Sequence, residues 1–249
     1  MKTIKTYFLS IAFLLLVSSA SVFAGDFSRL NVIGFSADGR YLAFEEYGTL
    51  DGSGLAYSNI YFIETVKNSF AAQPVKVELE DETATEAMAR LKAKTSAAAN
   101  LKKFKIVAGN VGDLLVSRLI TDLNAGRIEA FGDEKNQIVK FTDFRTSDYF
   151  TDEFELALKT SEVKNKQCET YEMPVFKLDL TLKNLRSDNK TPKVLQSDKS
   201  LPESRNCPLA YSIQNVYTYK NHIAVFMNVF TTGFEGPDMR FMAVTGVYR

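Results

Sequence analysis

The sequence predicts an α+β fold, mainly antiparallel β-sheet with a helical insertion, and three observations point to it. Beyond Gly126, over residues 153–158 and 176–183, apolar residues alternate with polar ones, the two-residue period of half-buried strands. Between about residues 79 and 126 the period lengthens to three or four positions, as one face of a helix requires. Turn-forming pairs such as Asp38-Gly39 and Lys220-Asn221 separate alternating stretches at hairpin spacing.

The chain opens on a leader. Lys2 and Lys5 precede an apolar run from Ile11 to Val17, and Val22-Phe23-Ala24 stands ahead of Gly25. That is the layout of a secretory signal peptide with a small-residue cleavage site. The apolar run falls short of the roughly 20 residues that cross a bilayer, and no later segment comes near that length. The expected organisation is a signal peptide over residues 1–24 and a single secreted α+β domain over 25–249, with no transmembrane segment in the mature chain. No cysteine stands just after the cleavage site, so a lipid anchor is not expected.

The mature chain then begins with strands. From Asn31 to Phe70 the pattern is a β-hairpin, reversed first at Phe35 to Arg40, where Asp38 and Gly39 tolerate a tight turn. Tyr41 to Tyr47 and Asn59 to Thr65 read as strands flanking a glycine-rich loop, Gly48 to Gly54. Both carry apolar residues on both faces, which predicts central strands covered on each side. From Leu79 to Leu101 a helix is expected, with Ala84, Met88, Leu91, Thr95 and Ala98 as its buried face. Acids crowd its start and bases its end, matching the helix dipole. A second helix is expected from an Asn110 N-cap through Leu114, Leu115 and Leu119 to Gly126.

Beyond Gly126 the period returns to two. Phe154, Leu156 and Leu158 form one wet-faced strand, and Phe176, Leu178, Leu180 and Leu182 another. The basic stretch from Lys183 to Lys199, rich in turn formers, reads as a solvated loop. Ser212 to Tyr219, His222 to Phe230 and Arg240 to Tyr248 are three closing strands. No internal period supports a repeat array.

Charge and cysteines narrow the chemistry. The 249 residues carry 30 basic and 30 acidic side chains, and loss of the leader leaves the chain slightly acidic. No general attraction to nucleic acid or anionic lipid follows from that balance. Cys168 and Cys207 are the only cysteines, and in an oxidising compartment pairing is the default. A bridge between them encloses a polar excursion, for which the chain-entropy model gives roughly 4 kcal/mol of stabilisation. A redox-active pair is disfavoured by the absence of a CxxC spacing.

Candidate site residues are few. His222 is the only histidine, so any Ser-His-Asp or Cys-His arrangement would depend on it, and its place beside a turn suits a structural role. Nothing in the pattern calls for a metal or a cofactor. Glu45 and Glu46 are adjacent strand residues and must point to opposite faces. A carboxylate on an apolar face needs a partner, with Arg40 and Arg240 available. The loop Leu50-Asp51-Gly52-Ser53-Gly54 lacks the ligand pattern of a calcium loop and reads as a hairpin turn. Thr232 to Phe241 combines two glycines and a proline with Glu235, Asp238 and Arg240, charged groups on a loop held by sheet.

The stretch Gly34-Phe35-Ser36-Ala37-Asp38-Gly39-Arg40-Tyr41-Leu42-Ala43-Phe44-Glu45-Glu46-Tyr47-Gly48 and the later Gly233-Phe234-Glu235-Gly236-Pro237-Asp238 resemble the bacterial predicted secreted proteins of domain-of-unknown-function family 2259. The resemblance implies an exported protein, periplasmic where the host has two membranes, and supplies no catalytic residue to carry over. Phe35 to Phe44 alone is also similar to the opening hairpin of a β-propeller blade, with Ala37 where proline is usual. By analogy that hairpin suggests binding more than catalysis. The leading expectation is a non-enzymatic module binding an envelope protein or polymer through Glu45, Glu46, Glu235, Asp238 and Arg240. The alternative is a hydrolase acting on an envelope polymer with Glu45, Glu235 and Asp238, a chemistry that needs no histidine.

Overall fold

The computed structural model describes residues 25–119, 136–144, 152–171, 173–189, 191–233 and 236–249. Residues 1–24, where a signal peptide is expected, lie outside them, as do Glu235 and the last part of the expected second helix. Among the described residues three antiparallel sheets stack face to face, with one α-helix on the outside.

The first sheet holds β1 (Arg29–Phe35), β2 (Tyr41–Thr49), β3 (Ala56–Glu64), β4 (Ser69–Phe70) and β5 (Val75–Glu78). Its register follows the turn chemistry: Gly39 takes φ +82° at the β1–β2 reversal, and a side chain there would also strike the His222 ring. β2 and β3 are covered on both faces, as their two-sided apolar pattern requires. Ala43, Ile60 and Phe62 face the helix α1 (Glu86–Lys103), while Leu42, Phe44 and Ile63 face the second sheet. Blade-like as its first hairpin is, this sheet belongs to a stack and not to a ring of blades.

α1 begins where Thr85 caps it, with Glu86 in its first turn and Lys102 and Lys103 in its last. The buried face differs from the expected one. Ala89, Ala93 and Ala97 are buried, whereas Met88 and Leu91 are exposed, as are Thr95 and Ala98. Alanines four apart let the helix approach the sheet closely, so the larger side chains turn outward.

The second, middle sheet runs β13 (Pro237–Val247), β12 (His222–Thr232), β11 (Pro208–Tyr219) and β6 (Asp113–Ser117). β6 corrects the second-helix expectation: Asp113 to Ser117 pair with Thr218 to Asn215. An open edge on β11 supplies non-local bonds that outweigh the local helical spacing of Leu114 and Leu115. The middle sheet is apolar on both faces. Phe226 and Phe230 meet Phe44 of the first sheet, and Val225, Met227 and Val229 meet Leu156, Leu178 and Leu180 of the third.

The third sheet runs β10 (Lys193–Ser197), β9 (Val175–Asn184), β8 (Asp152–Val163) and β7 (Asn136–Asp143). β8 and β9 bury Phe154, Leu156, Leu158, Leu178, Leu180 and Leu182 on one face, as alternation dictates. β10 corrects the solvated-loop reading of 183–199. Only Leu195 of its five residues is buried, too weak a pattern to read without its partner strand. Cys168 and Cys207 are bonded with Cα atoms 5.6 Å apart, tying the 3-10 turn Lys166–Tyr171 to the start of β11.

Candidate functional site

β13 is the outer strand of the middle sheet, and a cleft of about 530 Å³ opens along it. One wall comes from the first sheet: Phe44, Glu46, Asn59, Tyr61 and the β3–β4 turn with Asn68. The other comes from β10 and the chain after it, with Gln196, Ser204 and Arg205. Asp238, Arg240 and Phe241 of β13 line it between them.

Glu45 and Glu46 part company as the pleat requires, and both are buried. Glu45 faces α1 and takes no part in the cleft. Arg90 binds its two oxygens at 3.0 and 2.9 Å, Ser58 and Asn31 donate at 3.0 and 2.7 Å, and the Arg90 guanidinium lies 3.9 Å from the Tyr47 ring centroid. Burial pushes the Glu45 carboxyl up, but the bonds from Arg90, Asn31 and Ser58 outweigh it and hold the group below its ordinary value. The partner is thus a helix arginine. Arg40 pairs with Glu64 instead, and Arg240 with Asp26.

Glu46 faces the cleft. Tyr61 Oη donates to its Oε1 at 2.6 Å and Asn59 Nδ2 at 3.2 Å, while the backbone N–H of Phe241 donates to Oε2 at 2.9 Å. Burial, and then the charge of Glu46, push the Tyr61 hydroxyl far upward, so it stays protonated and remains a donor. Glu46 therefore fastens the first sheet to the edge of the second.

Asp238 and Arg240 are turned to the segment at Asp26. Asp26 N donates to Asp238 Oδ1 at 3.0 Å, and Arg240 Nη1 donates to the Asp26 carbonyl at 2.7 Å. Met239 N and O bond Asp26 O and Ser28 N, giving a parallel bridge between Phe27 and Met239. Gly25 fits because a Cβ there would run into the Pro237 carbonyl. Burial raises the Asp238 carboxyl above its ordinary value.

The cleft thus brings together Glu46, Asp238 and Arg240 and leaves out Glu45, which removes one carboxylate from the hydrolase trio. Glu235 is outside the described residues. Arg205 pairs with Asp198, and its Nη2 donates at 2.8 Å. His222 lies elsewhere, its Nδ1 3.0 Å from Thr65 Oγ1. Among the described residues no group of three or more His, Cys, Asp or Glu gathers as metal ligands.

Sequence reasoning missed Asn68. Its φ of +51° suits the turn. Its Oδ1 accepts from Thr245 N of β13 at 2.8 Å, and its Nδ2 donates to Gln196 Oε1 of β10 at 2.6 Å. The pair Lys67-Asn68 carries a turn signal, but nothing local reveals its distant partners.

These features define a layered β-protein whose only described α-helix lies outside the stack, with a polar cleft at an edge strand. No described helix is long and apolar enough to cross a membrane. A family model, domain-of-unknown-function family 2259, described as a predicted secreted protein, matches residues 43–247. The chain belongs to that family. Neither a curated protein nor a solved structure matches the chain.

Proposed function

We propose that this secreted protein is a non-enzymatic binding module that holds an envelope protein or polymer in the cleft along β13, in the periplasm where the host has two membranes. The supporting observation is convergence. Glu46 and Phe241 are joined across 195 positions of sequence, and the segments bearing them line one cleft with Asp238 and Arg240. Local turn needs cannot account for that meeting. The charged groups inside are largely engaged within the protein: Glu46 by three donors, Arg240 by Asp26 and Arg205 by Asp198. Such a cleft recognises by shape and by fixed polar groups.

The test uses exposed positions on the two walls. Immobilised processed protein is incubated with envelope extract beside Ser69→Trp and Ser204→Trp variants, whose indoles fill the cleft. A component retained by the native protein and lost from both variants supports the reading. Recovery of nothing above background, or equal recovery by all three proteins, refutes it.

A further inference from the structure

We propose that the ligand of this cleft is an extended peptide that adds as a strand to the outward edge of β13 at Ala243. The inference rests on the binding reading above and names its ligand class.

The backbone supplies the first argument. In β13 the odd-numbered residues turn their N–H and C=O groups away from β12, and several of these groups are occupied. Met239 bonds to Asp26 and Ser28, Phe241 N–H to Glu46, Thr245 N–H to Asn68, and Val247 C=O to the Lys193 ammonium. Between them the Phe241 C=O and both outward groups of Ala243 have no protein partner among the described residues. Phe241 and Ala243 line the cleft. Open edge groups are a template for another strand, and here neither a lysine, a proline nor a bulge blunts them.

The second argument is precedent within the fold. The chain's own residues 26–28 already lie along this edge, bridging Phe27 to Met239. The edge accommodates an added strand there, and the cleft continues along it toward Ala243.

The walls set the ligand's side chains. A residue placed opposite Ala243 would share its side of the sheet, the side that packs toward Phe44 and Tyr61. Ala243 carries only a methyl, so room is left for an apolar side chain. The ligand residues on either side would point the other way, toward Gln196 and Arg205. Recognition then reads one apolar residue between polar ones, with backbone bonds giving affinity and alternate pockets giving specificity. Glu46 and Asn68 bound the open stretch at both ends, which limits the contact to about three ligand residues.

The test titrates ¹⁵N-labelled processed protein with a pooled library of capped pentapeptides, acetyl-X-X-Leu-X-X-amide, followed by individual members. The Ala243 amide resonance should move and its hydrogen exchange slow at least tenfold. Paired antiparallel to β13, unlike the parallel bridge at Phe27, the best pentapeptide should bind about tenfold more weakly once its leucine nitrogen is methylated, because in that direction the residue facing Ala243 donates its own N–H to the Ala243 carbonyl. An Ala243→Pro variant, which deletes only the outward N–H of an edge residue, should lose the response. The methylated peptide gives the same answer without altering the protein. An unmoved Ala243 resonance at millimolar peptide, or undiminished binding of the methylated peptide, overturns the inference. If an envelope component is still captured in a manner that Ser69→Trp abolishes, the peptide inference falls and the binding reading stands. If neither occurs, both fall.

Discussion

Replacing Arg90 by Met would strand the Glu45 carboxylate beneath α1. Glu45 is wholly buried, and the Arg90 side chain is 28% exposed. Removing one partner of a buried pair costs about 3–5 kcal/mol, and the partial exposure of Arg90 places the expectation near the lower end, about 3 kcal/mol. At a urea m-value of about 2–3 kcal/mol/M, the midpoint of unfolding followed by far-ultraviolet circular dichroism should fall by about 1 M. A double-mutant cycle with Glu45→Gln separates the charge from the packing. In the doubly substituted protein no buried charge is stranded, so its loss should be smaller than the two single losses combined by at least about 1 kcal/mol. The effect should also depend on pH. The Glu45 carboxyl lies below its unfolded value, so its contribution is full above the ordinary carboxyl range and disappears as pH falls through the folded value. A midpoint that moves by less than about 0.3 M, or strictly additive losses, would refute the assignment of this pair as what holds the helix to the sheet.

Reduction of the Cys168–Cys207 bond, checked by mass spectrometry after alkylation, should lower stability by about 2–4 kcal/mol in urea titrations. His222 is held below its ordinary value by burial. Stability should therefore decline as pH falls beneath the unfolded histidine value of about 6.5 and level off below the folded one. Melting temperatures at pH 8 and pH 5 check this, and His222→Gln should flatten that segment of the profile. Arg240→Met should release the segment at Asp26, raising amide exchange at Ser28 and Met239 by about tenfold while β12 exchanges as before.

Much of the sheet scaffold is legible from the residues. Asp38-Gly39 and Lys220-Asn221 mark the reversals, and the alternation of Phe154 to Leu158 and Phe176 to Leu182 assigns each side chain to its face. The helix is legible from its charges, but its buried stripe is not. Hydrophobicity favours Met88 and Leu91, while contact with a flat sheet selects the smaller Ala89, Ala93 and Ala97. β6 and β10 are set by the strands they pair with. The carboxylate pair could be assigned to opposite faces, but Arg90 as partner depends on how α1 returns across the sheet. The cleft is the least legible part. It needs Asn68, Gln196 and Arg205 beside the two motif segments, and only tertiary folding brings them there.

Asn68 has one more consequence. Its single amide group is bonded at once to β13 and β10 while its own backbone forms the β3–β4 turn. No layer can peel away from its neighbours without breaking a bond at that residue. Opening events on the slow timescale of native-state exchange should therefore involve the stack as one cooperative unit. The amides of Ser69, Leu195 and Thr245, one in each layer, would then share a common rate, and Asn68→Gly would let those rates drift apart.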